Sequence, residues 1–108
     1  MKGIMGQLTQ QEGALRQRRK GLGISQVLLG RLVGVTMITV YLWERGAISP
    51  NAQNAEALEE VLCALEAGEA TCPHGHRLGH GYGQHEDCRD CAHRTDCARY
   101  GHRLSSTH

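Results

Sequence analysis

Residues 25–46, SQVLLGRLVGVTMITVYLWERG, constrain the fold more than any other stretch of the chain. Ser25 is a favourable helix N-cap, and Leu28, Leu29, Leu32 and Val33 follow it at helical spacing. Gly30, inside that helix, costs stability relative to alanine unless another helix must approach closely there. Gly34 breaks the helix. Thr36 can cap a second one reaching Arg45, and Gly46 stands where a helix end favours glycine. Two short helices around a glycine turn make a helix-turn-helix.

Composition limits what can surround that motif. A chain of 108 residues holds one or two small domains, with a core too small for elaborate chemistry. It has no Phe, one Trp and three Tyr, so its hydrophobic content is mostly aliphatic and lies before residue 67. No run approaches the roughly 18 apolar residues of a membrane span, and MKGIMGQL lacks the apolar stretch of a signal peptide. The chain therefore reads as cytoplasmic and without a membrane partner, a setting in which its five cysteines stay reduced and favour metal over disulfides. The net charge of +1 conceals an asymmetry. Residues 1–50 carry seven Lys and Arg against two Glu, a balance of +5, whereas residues 51–70 carry five Glu and no base. The first block suits phosphate contact and the second a solvated helix face. All seven His and four of the five Cys follow residue 71. The composition thus predicts a tail over 1–8, a helical domain over 9–67, a Cys/His-rich module over 68–101 and a tail over 102–108.

Four pieces arrive in order between Leu15 and Leu65: the basic LRQRRK, then SQ-x-x-LG, then GV followed by Thr36, and WERG with Pro50 downstream. In these, the segment resembles the DNA-binding domain of lambdoid phage repressors and Cro proteins, the XRE type of helix-turn-helix. The resemblance implies an all-α bundle of four to five helices, double-stranded DNA as partner, a homodimer, and a third helix lying in the major groove. It also implies a DNA contact from Gln26, which otherwise reads as an exposed polar residue in the first turn of its helix.

The residues fill in that scheme. Thr9 and Glu12 form a possible capping box for a first helix through about Lys20. Arg16, Arg18, Arg19 and Lys20 crowd its end, where they suit the helix dipole, and Arg18 and Arg19 are candidates for phosphate contact. In the third helix Val35, Val40 and Trp43 share the core side, while Thr36, Met37, Ile38, Tyr41 and Leu42 project toward the groove. This face departs from the resembling family, whose reading helices carry Asn, Gln, Ser or Arg for bidentate bonds to base edges. Apolar side chains can meet thymine methyls, or the face can pack on protein. Downstream, Ala55, Leu58, Val61, Leu62 and Leu65 form a helical stripe through Ala67, with Cys63 expected as a small buried hydrophobe.

Cys72, Cys88, Cys91 and Cys97 follow the spacing C-x15-C-x2-C-x5-C. Four thiolates can hold a [4Fe–4S] cluster or tetrahedral Zn. The C-x2-C-x5-C portion resembles the cluster sites of WhiB-like regulators and of endonuclease III-like glycosylases, which favours the cluster slightly. The WhiB-like Gly-Trp turn is missing. His74 and His76 flank Cys72, and His93 lies between Cys91 and Cys97, so a Cys3His zinc site stays open. His80, His85, His102 and His108 read as exposed residues of a glycine-rich loop and tail. The stretch GHRLGHGYGQHEDC has too few apolar residues to fold without such a staple.

These features predict a phage or bacterial transcription regulator in which the metal module senses or dimerises. The alternative is a DNA-bound adaptor whose cysteine module docks transcription machinery, such as RNA polymerase, or a toxin. No Ser-His-Asp ordering, P-loop or dinucleotide fingerprint occurs, so enzymatic activity is not expected.

Overall fold

Helices dominate wherever the chain supplies a cap, an apolar stripe and a glycine stop within reach of one another. A computed structural model describes residues 13–79 and 86–105. Helix α1 occupies 13–22. It is followed by α2 (Gln26–Val33), α3 (Met37–Arg45), α4 (Ala52–Ala67), a single 3-10 turn (Glu86–Cys88) and α5 (Arg94–Ser105). Among the described residues β structure is limited to one antiparallel bridge, Thr71 to Arg77. The capping pair expected from Thr9 and Glu12 lies outside the described residues, as do His80, His85 and His108. Helix α5 continues through 102–105, a stretch that composition had assigned to a tail.

Side-chain caps open the three inner helices. Ser25 Oγ accepts from the Leu28 N–H at 3.1 Å, Thr36 Oγ1 from Thr39 at 3.3 Å, and Asn51 Oδ1 from Asn54 at 2.8 Å. Ser25 and Thr36 cap as their positions predict. Gly34 ends α2 at φ 97°, a left-handed conformation costly for any other residue, and its N–H returns to the Gly30 carbonyl at 2.8 Å. The turn over residues 34–36 then folds back onto α2. A Cβ on Gly30 would stand 2.8 Å from the Val35 carbonyl oxygen, so glycine at 30 admits the turn's own backbone, not a neighbouring helix.

The core is one cluster. Leu15, Leu22, Ile24, Leu28, Leu29, Val40, Trp43, Leu58, Leu62 and Leu65 close the four-helix portion, and Ala70, Leu78 and Tyr100 belong to the same cluster. Val40 and Trp43 face inward as their spacing predicts, and Val35 packs against the cluster partly buried. Two expectations on α4 are corrected. Ala55 is exposed, and Cys63 is exposed with its thiol donating to Glu59 Oε2 at 3.2 Å. The helix turns its acidic face outward at 63, and a small residue there carries no burial signal of its own. The Glu59 carboxylate raises the Cys63 thiol above its ordinary pKa.

Residues beyond Gly68 lie against the helical domain. Tyr100 is fully buried, and its hydroxyl donates to the Leu65 carbonyl in the last turn of α4, which also accepts from the Gly68 N–H at 3.2 Å. Arg103 Nε donates to the Gly21 carbonyl at 2.8 Å, and Ser25 Oγ donates to Asp96 Oδ2 at 2.7 Å. Helix α5 is thereby fastened to the end of α1, to the cap of α2 and to the end of α4.

Candidate nucleic-acid interface

The axes of α2 and α3 turn by 107° at the glycine break, within the range that lets a second helix project from the first. Met37, Ile38 and Tyr41 are 43, 61 and 42% exposed, so three of the groove-facing candidates form an open apolar strip along α3. Thr36 is exposed at the head of the strip, where its hydroxyl is engaged as the cap. Leu42 is half-buried and contributes less of that face. Arg45, one turn beyond Tyr41, donates to the tyrosine hydroxyl at 2.8 Å and lies 5.4 Å from the ring centroid. The i,i+4 pairing of Tyr41 with Arg45 was available as a signal for including Arg45 in this face.

The basic residues divide. Arg19 reaches inward: Nε and Nη2 donate to the two Glu44 oxygens at 2.5 and 3.1 Å, and Nη1 donates to the Ile24 carbonyl at 3.0 Å. Gln26 Nε2 donates to the same carboxylate at 3.0 Å, from a half-buried position at the start of α2. Arg18 points to α4, with Nε and both Nη atoms on Glu66 and Glu59 at 2.9–3.1 Å. Those carboxylates hold the guanidinium well above its ordinary pKa, and Arg18 holds both Glu59 and Glu66 below theirs. Arg18 and Arg19, expected at phosphates, are each engaged here by a carboxylate of the chain. The charge count along residues 1–50 does not say which cations are paired across the bundle.

The helix-turn-helix family model matches residues 15–62. Over 48 residues the chain is 44% identical to the Repressor protein C2 of Salmonella phage P22, a match covering 44% of this chain and 22% of that protein. Residues 15–62 are a helix-turn-helix domain similar to part of that phage repressor. The chain thus spans under a quarter of the length of that curated relative. No solved structure matches the chain. The repressor-type domain contains α1 to most of α4, with the exposed strip of α3, whereas the cysteines at 72–97 fall outside the matched residues. No single helix among the described residues is long and apolar enough to cross a membrane.

Beside the repressor-type domain the four cysteines come from four local structures and line one pocket of about 20 Å³, together with His74, His76 and His93. Cys72 sits in a tight turn set by the Thr71–Arg77 bridge: its N–H donates to the His76 carbonyl, and Gly75 N–H donates to its carbonyl at 2.9 Å. Cys88 closes the 3-10 turn, Cys91 follows it, and Cys97 rides on α5. Backbone N–H groups already point at two sulfurs, Gly79 at Cys97 (3.3 Å) and His93 at Cys91 (3.4 Å). Burial raises the Cys97 thiol; the Gly79 N–H opposes this, and the other three sulfurs add to it. His93 Nδ1 is buried without a hydrogen-bond partner among the described residues. As the side chains stand, no three Cys, His, Asp or Glu groups among the described residues are gathered into a coordination sphere. What the fold provides is convergence on one small apolar space.

Proposed function

We propose that this chain is a DNA-binding transcription regulator of the repressor type, acting as a homodimer whose two α3 helices enter successive major grooves. The exposed strip of Met37, Ile38 and Tyr41 on α3, set 107° from α2 in a repressor-type domain, carries the reading. Methyl and thioether groups on such a strip favour thymine methyls over G·C edges. One short helix reads too few base pairs for a unique genomic site, so the dimer spans half-sites about 34 Å apart or a multiple of that. Kinship with a phage repressor supports a binding role and not an enzymatic one.

In this reading the cysteine module holds a metal through Cys72, Cys88, Cys91 and Cys97, either Zn or a [4Fe–4S] cluster. Convergence of the four thiols and two N–H···S bonds support it. A brown, absorbing protein purified without oxygen identifies the cluster, and a colourless one with one zinc per chain identifies the ion.

Footprinting with the purified chain tests the whole reading. Protection of a two-fold symmetric site is expected, and Ile38→Ala with Tyr41→Ala should weaken that site while leaving random duplex binding nearly intact. Loss of each base contact costs about 1–3 kcal/mol. A protein that footprints only with a partner added supports the adaptor role for the apolar strip instead.

A further inference from the structure

We infer that the cysteine module is part of the DNA interface: Arg99 of α5 supplies a phosphate contact beside the first turn of α2. The inference rests on the DNA-binding reading above. A basin of about 590 Å³ opens where α1, α2, α3 and α5 meet, lined by Tyr41 of the exposed α3 strip and by Gln26, whose amide is held on Glu44. Four arginines line it as well, against Glu44 as the one carboxylate among its lining residues. Arg19 takes that carboxylate and Arg99 shares Asp96 from one side, so Arg16, Arg45 and the exposed remainder of Arg99 leave the basin positive. Arg16 and Arg45 come from the repressor-type domain. Arg99 does not.

The position of Arg99 is built. Asp96 Oδ2 accepts from Ser25 Oγ at 2.7 Å while the same hydroxyl accepts from Leu28 N–H, so the cap of α2 and the first turn of α5 share one bonded unit. The other Asp96 oxygen accepts from Arg99 Nη2 at 3.3 Å, which orients the guanidinium one turn further along α5. The Arg99 side chain remains 61% exposed, with the rest of its planar fork open to a bidentate phosphate. The backbone comes close here too: a Cβ on Gly23 would stand 3.7 Å from Arg99. The adjacent start of α2 presents the positive end of its dipole, which favours the same anion. A phosphodiester oxygen is the ligand this arrangement recognises.

The test measures binding of the full chain to its footprinted site and to random duplex across a salt series. Arg99→Gln should weaken both several-fold and lower the log–log salt slope by about 0.9, the loss of one phosphate contact. Arg99→Lys should keep most of the slope. Arg89→Gln removes an equal charge from an exposed turn outside the basin and should change neither quantity. An unchanged slope in Arg99→Gln, or an equal drop in Arg89→Gln, overturns the inference while the DNA-binding reading stands. Wild-type protein that binds no duplex overturns both. Melting temperatures of all variants should coincide, and a lower one for Arg99→Gln alone would make its role structural.

Discussion

Arg18 and Arg19 are neighbours in sequence and opposites in environment, because one step along α1 swings the side chain from the α4 flank into the angle between α2 and α3. The Arg19 and Glu44 side chains are 11 and 4% exposed. Removing Arg19 leaves a buried carboxylate, and an Ile24 carbonyl that loses its side-chain donor. Arg19→Gln should therefore cost about 3–5 kcal/mol in denaturant unfolding. Arg18 works in solvent on two exposed carboxylates, so Arg18→Gln should cost about 1 kcal/mol or less, and high salt should shrink that difference. Acid separates them further. Glu59 and Glu66 have lowered folded-state pKa values, so their contribution is present above the unfolded carboxylate pKa of about 4.3 and is lost as pH falls through the folded values. Stability curves of Arg18→Gln and the parent should diverge at neutral pH and meet in acid. Equal costs for the two substitutions at neutral pH would contradict this division of roles.

At the scale of the element, the turn between α2 and α3 sets the direction of α3, and Gly30 is where the turn touches α2. Alanine gains about 1 kcal/mol of helix propensity over glycine in an open helix. At position 30 its Cβ would meet the Val35 oxygen at 2.8 Å and the Thr36 carbonyl carbon and oxygen at 3.2 Å, all backbone. The turn has to shift, so Gly30→Ala should lower the melting temperature and weaken specific DNA binding together. Gly21, in the last turn of α1, has nothing within 4 Å of an added Cβ. Gly21→Ala should raise stability by about 0.4–1 kcal/mol with DNA binding unchanged. Both substitutions moving stability in the same direction would mean that propensity, not the turn contact, governs position 30.

At the scale of the whole molecule, α5 couples the thiol pocket to the helical core. Tyr100 fills the core, Asp96 meets the cap of α2, and Cys97 lies between them on the same helix. Tyr100→Ala should cost about 3–5 kcal/mol, the range for an emptied aromatic site, and should lower the melting of α1 to α4 along with α5. Removal of the proposed metal should act through the same strut. A chelator, or loss of any one of Cys72, Cys88, Cys91 or Cys97, should lower the melting temperature of the entire chain, because small metal modules gain most of their folding free energy from the ion. Cys63→Ala, at an exposed site on α4, should change neither metal content nor melting. A calorimetric trace in which the helical domain melts at the same temperature with and without chelator would disprove the coupling.

Ser25, Gly34, Thr36 and Gly46 were legible because caps and helix stops are bonds made within four residues, and the inward positions of Val40, Trp43, Leu58, Leu62 and Leu65 because helical periodicity is equally local. The resemblance of residues 15–62 to a helix-turn-helix family rested on motifs of similarly short range, LRQRRK, SQ-x-x-LG, GV with Thr36, and WERG. Tertiary structure alone decided where the charges went. Arg19 finds Glu44 25 residues on, Arg18 reaches partners 41 and 48 residues away, and Asp96 meets Ser25 across 71. A run of arginines specifies none of these partners, since any carboxylate satisfies a guanidinium until packing brings one into range. The cysteine spacing likewise announced four thiols, but their convergence on one pocket, and the attachment of that pocket to the cap of α2, depend on how α5 buries Tyr100 against the bundle.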